Sequence, residues 1–349
     1  MITGTSSATT PVKEINRKYF EMCVLTRVAT ELKSGDLFIE HSEDYSDYRD
    51  QLIDWSEYEE KVGEYGTLLD LPQNPEEFVA KLKRELAETA EAVYRQFPEN
   101  EYIDINNDGL VIHKHERTPA PTALKLLDKA IMERLPEKNI LDLLVEGEHW
   151  LDLHTKFRPI SGFESKLDDP RKCFITTLFC YGCNLGPTQT ARSVKELSRK
   201  QIAWLNLHHV TEERLDKATE AIINAYNKFR LPKYWGSGKH ASADGTKWNL
   251  YEQNLLSEYH IRYGGYGGIG YYHVSDMHIA LFSHFIPCGV YEAVYILDGL
   301  MKNESDIQPD TLHGDTHAQS APVFGLAHLL GINLIPRIRK LKKLVFYRS

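Results

Sequence analysis

Five cysteines in 349 residues are too few for a fold built on disulfides, and they imply a reducing compartment. Cys180 and Cys183 form a single Cys-x-x-Cys pair with no second pair to complete a zinc site, so core packing is the better reading. No apolar run approaches the roughly 20 residues of a membrane span, and no membrane partner is expected. Residues 1–10 lack the basic-then-apolar order of a secretory signal. No Gly-Lys-Ser/Thr follows Gly186, which excludes a phosphate loop there. Acidic residues also run out: Asp315 is the last Asp or Glu in the chain.

What is present is ordinary in amount and uneven in placement. The chain is 42% hydrophobic and 26% charged, enough for a sizeable core. Its net charge of -9 argues against a polyanionic partner only if evenly spread. Residues 1–150 hold 17 Lys+Arg and 31 Asp+Glu, a net of -14, whereas residues 151–349 hold 24 and 19, a net of +5. Within residues 337–349 there are six Lys or Arg and no acid. The second part is suited to an anionic partner, although a solvated basic tail explains the same composition.

Residues 1–15 are Ser/Thr-rich and expected to be disordered. Helical periodicity covers much of residues 16–235: helices are expected over 16–33, 45–65, 75–97, 123–135, 140–150, 172–182, 190–197 and 212–229, with a hairpin over 101–113. From residue 236 the chain becomes rich in Gly, Tyr, His and β-branched residues. Strands are expected over 239–248, 268–275, 279–287, 311–317 and 333–337, with helices over 290–303 and 323–330. The expectation is an α/β chain: a helical scaffold over 16–235, then a mixed-sheet domain over 236–349.

Asp244 ends a stretch of small residues before Gly245, and Asp315 lies in another expected strand. Two carboxylates on neighbouring strands suit a hard divalent cation, Mg2+ or Mn2+, held beside phosphate. The bland alternative is that each Asp caps a turn. On a strand, His313, Asp315 and His317 share one face, the basis of a competing reading as a His/Asp metal-dependent hydrolase. Gly265-Tyr-Gly-Gly-Ile-Gly270 has the spacing of a dinucleotide fingerprint, but a strand pattern follows where a helix is required. That run is read instead as a flexible or tightly turning loop.

Longer blocks carry a more specific signal. Cys183-Asn-Leu-Gly-Pro-Thr-Gln-Thr-Ala-Arg, Ser242-Ala-Asp-Gly, Arg262-Tyr-Gly-Gly-Tyr-Gly-Gly and Tyr272-His-Val-Ser-Asp resemble the Tn3-family transposases. So do Phe282-Ser-His-Phe-Ile-Pro, Glu292-Ala-Val-Tyr-Ile-Leu-Asp-Gly-Leu, Asp315-Thr-His and Pro322-Val-Phe-Gly-Leu-Ala-His-Leu-Leu-Gly. The resemblance runs from about residue 16 to the C-terminus. It implies an RNase H-like catalytic domain whose DDE acids bind two Mg2+ (or Mn2+) ions, with Asp244 matching the first acid and Asp315 the second. It also implies DNA cleavage at transposon ends by water, then attack of the freed 3′-OH on target DNA. The partners implied are transposon-end and target DNA, and a second or full-length transposase copy, in the bacterial cytoplasm at the nucleoid. Lys239, Lys247, Arg262, Arg337 and Arg339 are the candidate phosphate contacts. The family's third acid, a Glu on a later helix, has no counterpart after Asp315, and its Gln-Gly is replaced by His317-Ala318. The expectation is therefore a transposase fragment truncated at both ends and inactive alone. Its alternative role is as a non-catalytic regulator of a full-length transposase.

Overall fold

The computed structural model describes residues 16–42, 45–107, 109–114, 118–159, 167–194, 196–252, 254, 257–261, 264–288 and 292–340. Residues 1–15, expected to be disordered, lie outside this set. The chain divides into two compact units, Met1–Val93 and Tyr94–Arg348.

The first unit is helical. Helix α1, Arg17–Ser34, starts where the Asn16 side chain accepts from the Lys18 and Tyr19 N–H groups, and stops at Gly35 with φ 80°. The single helix expected over 45–65 is two elements: a 3-10 turn, Tyr48–Gln51, and α2, Trp55–Leu68. Asp47 explains the break, because its side chain accepts from Arg49 N–H and closes a local turn that competes with a continuous helix. Helix α3, Pro75–Gln96, begins with Pro at its first position behind Asn74, whose side chain accepts from Glu76 and Glu77.

The second unit opens with a two-stranded hairpin, β1 Ile103–Asn106 and β2 Gly109–Ile112. Helices α4 Thr122–Met132, α5 Ile140–Leu151, α6 Pro170–Gly182, α7 Pro187–Ser193, α8 Arg199–His209 and α9 Glu212–Asn227 follow. The core shared by α5 to α9 and the segment after α5 holds Leu153, Phe157, Phe174, Cys180, Ile202 and Leu205. Cys180 is fully buried and Cys183 exposed, so the pair is divided between core and surface. Helix α8 was not expected. Its start signal is a capping box, with Ser198 and Gln201 exchanging side-chain and backbone hydrogen bonds. Helix α9 joins this layer to the sheet: Ile223 packs with Met277, Leu281 and Ile307, and the Tyr226 hydroxyl donates to Met277 O at 2.8 Å.

The sheet holds β3 His240–Asn249, β4 Glu258–His260, β5 Gly265–Ser275, β6 Ala280–Pro287, β7 Thr311–Gly314 and β8 Asn333–Pro336. Its path is β4-β5-β3-β7-β8, with β6 also on β5. The β3–β5 and β5–β6 pairs are antiparallel, and β7 and β8 run parallel to β3. Leaving the short β4 aside, the five main strands lie in the order third, second, first, fourth, fifth, and the fold is an RNase H-like mixed α/β sheet. Period-two burial on β3 sends Ala241 and Ala243 into the core and leaves His240, Ser242 and Asp244 exposed. Helices α10, Ala293–Met301, and α11, Ala321–Leu329, cover the core face through Ala293, Ile296, Leu297, Val323 and Ala327.

Two details of the sheet correct the sequence reading. The glycine run from Gly265 to Gly270 is no loop; it lies inside β5. A Cβ on Gly268 would run into the ring of Phe285 on β6, so the glycines answer to close packing rather than turning. Strand β7 also stops at Gly314, three residues short of expectation. Asp315 accepts from His317 N–H at 2.9 Å and caps a 3-10 turn, Thr316–Ala318.

Candidate metal and phosphate site

Strands β3 and β7 pair in parallel with His240 opposite Thr311, Ala241 opposite Leu312 and Ser242 opposite His313. Carrying that register forward two residues sets Asp244 opposite Asp315, just past the end of β7. Strands β7 and β8 pair with Gly314 opposite Pro336, and Arg337 N–H donates to Gly314 O at 2.9 Å. Asp244 on β3 and Asp315 and Arg337, the residues that follow β7 and β8, therefore line up side by side at the carboxyl ends of β7 and β8, where α/β sheets place ligands. Asp244 is exposed and Asp315 half-buried.

Each carboxylate is steadied by one backbone N–H. Gly245 N–H donates to Asp244 Oδ1 at 2.8 Å, and His317 N–H donates to Asp315 Oδ1. On the same face His240 Nδ1 and His313 Nε2 are 3.2 Å apart with stacked rings, so one imidazole donates and the other accepts. The shortened β7 removes the basis for reading His313, Asp315 and His317 as one ligand face: His317 belongs to the 3-10 turn.

The other candidate residues are divided. Arg339 is exposed, and its backbone N–H donates to Gln319 Oε1 at 2.8 Å. Lys239 precedes β3, with Nζ 3.8 Å from Asp310. Lys247 lies three residues after Asp244, so its side chain leaves the opposite face of β3. Arg262 lies outside the described residues. Arg337 and Arg339 thus share the strand ends with Asp315, and Lys247 does not join them.

Two residues escaped the sequence reading. Tyr271 of β5 pairs with Gly245, is 1% exposed, and its hydroxyl has no hydrogen-bond partner among the described residues. A buried hydroxyl left without a partner costs about 1–3 kcal/mol, so it calls for a reason. Burial first, then the negative charges of Asp315, Glu292 and Asp244, push the phenol far above its ordinary pKa of 10.0. Glu292, immediately before α10, is buried at 8% exposure. A Cβ on Gly245 would stand 2.9 Å from Glu292 Oε2 and 2.8 Å from Ile269 Cγ2, so only glycine fits between them. The strand pattern marked Tyr271 and Gly245 as sheet residues, but their meeting with Glu292 needed the folded chain.

Oxygen donors from two Asp side chains, each already oriented, fit a hard divalent ion. A second acidic group lies in the helical layer. Ligand atoms of Glu148, Asp152 and His154 lie within 4.8 Å of one another and could hold a metal. Glu148, 3% exposed, accepts from His154 N–H at 2.9 Å, with His154 Nδ1 2.5 Å from its other oxygen. Arg171 pairs with Asp152 and lies 3.9 Å from Glu148, so protein cations already balance this group. A cavity of about 930 Å³ between α9, β6 and the end of α10 is lined by Glu212, Asp216, Lys217, His284 and Glu304, and neither Asp244 nor Asp315 borders it.

Among the described residues no helix is long and apolar enough to cross a membrane. Residues 142–349 match the family model of the Tn3 transposase DDE domain. Over 328 residues the chain is 27% identical to the transposase of transposon Tn1546 from Enterococcus faecium, covering 94% of this chain and 33% of that protein. It is 28% identical to the transposase of Tn21 from Escherichia coli over 332 residues, again 94% of this chain and 33% of the relative. The transposase of transposon gamma-delta from Escherichia coli K12 is 26% identical over 96% of this chain and 34% of its own length. The chain thus spans about a third of the length of these curated relatives. A piggyBac transposase synaptic complex with hairpin DNA aligns with 14% identity and a TM-score of 0.27, over 63% of this chain and 48% of that one, too distant to bear on the fold. The family match covers more than half of the chain and includes both aspartates, and the chain belongs to the Tn3 transposase DDE-domain family.

Proposed function

We propose that this chain carries the Asp244–Asp315 part of a metal-dependent phosphodiester site that acts on DNA in transposition. The observation that supports this is the parallel register of Ser242 opposite His313 and of Gly314 opposite Pro336, which, carried forward, brings Asp244, Asp315 and Arg337 side by side. Asp244 and Asp315 would hold Mg2+ or Mn2+, and the ion would supply Lewis acidity toward a phosphate oxygen and favour deprotonation of a water nucleophile. Arg337 and Arg339 lie where a DNA phosphate beside Asp315 would be met, and Lys239 flanks the same strands from their other end. In the reaction, a water oxygen forms a bond to phosphorus at the transposon end and the bond from phosphorus to the 3′-oxygen breaks, freeing a 3′-OH. That hydroxyl then attacks a target phosphodiester and displaces its 3′-oxygen. Transposon-end DNA and target DNA are the substrates in this reading.

Mn2+ titration by calorimetry, alone and with a DNA duplex carrying a transposon end, tests the site. The expected result is saturable Mn2+ binding weakened at least tenfold by Asp244→Asn and by Asp315→Asn. Equal binding by both variants and the unaltered protein overturns the assignment.

A further inference from the structure

Three features converge behind Asp244. Gly245 leaves room for a carboxylate against the backbone, and Glu292 Oε2 fills it. Tyr271, the cross-strand partner of Gly245, brings its Cδ2 to 3.3 Å from the point where a Gly245 Cβ would stand. Its hydroxyl is wholly buried and, among the described residues, without a hydrogen-bond partner, in the field of Asp315, Glu292 and Asp244. A protonated phenol can donate, and every charged group acting on it is an acceptor. Glu292 shares the buried side of β3 with this hydroxyl, and a cation held by Asp244 and Asp315 would offset the repulsion among the three negative charges that act on it.

We propose that Glu292 is a third carboxylate serving the Asp244–Asp315 metal site, acting through bound water from the opposite face of β3, with the Tyr271 hydroxyl donating to the water or carboxylate oxygen that the ion orders. This rests on the reading of Asp244 and Asp315 as the metal pair. Glu292 is a positioning residue: Gly245 and Asp244 alternate along β3, so a group packed on Gly245 stands on the other side of the strand from the Asp244 side chain. Magnesium and manganese retain waters when bound by few carboxylates, and such waters are the natural link between the two faces. Second carboxylates of this kind tune affinity without touching the metal.

The test uses the full 349-residue chain, with Mn2+ as the probe and calorimetry and thermal melting as readouts. Glu292→Gln should weaken Mn2+ binding about five- to twentyfold, within the 10–100-fold range of outer-shell metal partners or just below it. Glu292→Asp, which keeps the charge, should recover part of that loss. Tyr271→Phe removes only the unpartnered hydroxyl, so it should raise or preserve the melting temperature without Mn2+ yet weaken Mn2+ binding two- to fivefold, a combination that a purely structural tyrosine cannot give. If Glu292→Gln does not fold, Glu292→Asp and Tyr271→Phe carry the test. Asp244→Asn separates the two claims: if it binds Mn2+ like the unaltered protein, the metal pair itself is wrong. If Asp244→Asn loses Mn2+ while the Glu292 and Tyr271 variants bind within twofold of the unaltered protein, only the present proposal fails.

Discussion

Ser242 faces His313 across the parallel β3–β7 pair, and the same offset carried two residues on leads to Asp244 and Asp315. Neighbouring strands are about 4.8 Å apart, so this offset alone brings two carboxylates from distant parts of the chain to one strand end. The arrangement leaves both side chains free of folding duties in the core, because neither belongs to the buried set.

On the proposed reading Asp315 carries two tasks that substitution can divide. Asp315→Asn keeps a side-chain oxygen to accept from His317 N–H and should leave the melting temperature nearly unchanged while weakening Mn2+ binding. Asp315→Ala loses the cap as well, and should cost a further ~0.5–2 kcal/mol in urea denaturation. Equal stability of the two variants would show that the cap contributes nothing.

Leu312 is fully buried between β3, β8 and the covering helices. Leu312→Ala should destabilise the fold by about 2–5 kcal/mol, from lost burial and the cavity left behind. Chemical denaturation measures it, and a loss below about 1 kcal/mol would mean that the sheet core is less tightly packed than described.

Asp276 supplies a pH-dependent tie. Burial opposes its ionisation, but N–H groups of Ser237 and Gly238, each 2.8 Å away, and the Ser237 and Ser275 hydroxyls outweigh it and hold the carboxyl below the ordinary 3.8. A group with a depressed folded pKa contributes stability above its unfolded pKa and loses it as pH falls through the folded value. Asp276→Asn should therefore be less stable than the unaltered protein at pH 7, with the gap closing below about pH 4. A pH-independent gap refutes the assignment.

If Arg337 and Arg339 meet DNA phosphates, replacing either by Ala should weaken binding to all duplexes alike. The slope of log affinity against log salt should fall by about one for each arginine removed. Fluorescence anisotropy across a salt series measures this, and an unchanged slope would remove both residues from the interface.

Much of the sheet was legible from local chemistry. Alternating Ala241 and Ala243 against His240, Ser242 and Asp244 marks β3 as a strand with one buried face, and the expected helices over 290–303 and 323–330 contain most of α10 and α11. Misreadings occurred where a side chain bonds its own backbone or where a distant residue decides. Asp47 divides the second helix, Asp315 ends β7, and Phe285 holds the glycine run in a strand. Helix α8 buries only Ile202, Leu205 and His209, too sparse a stripe to outweigh its polar face, although its capping box was there to be read.

By itself the sequence determined the family, the two candidate aspartates and the strand that carries Asp244, because burial periodicity and motif spacing are properties of neighbouring residues. The tertiary structure decided which face each side chain takes and what meets it. Lys247 faces away from Asp244 because strands alternate. Arg337 comes beside Asp315 because β8 pairs with β7. Glu292 and Tyr271 reach Gly245 because β5 and the start of α10 close on the glycine that follows Asp244, a contact that pairing register and packing create and that no local pattern encodes.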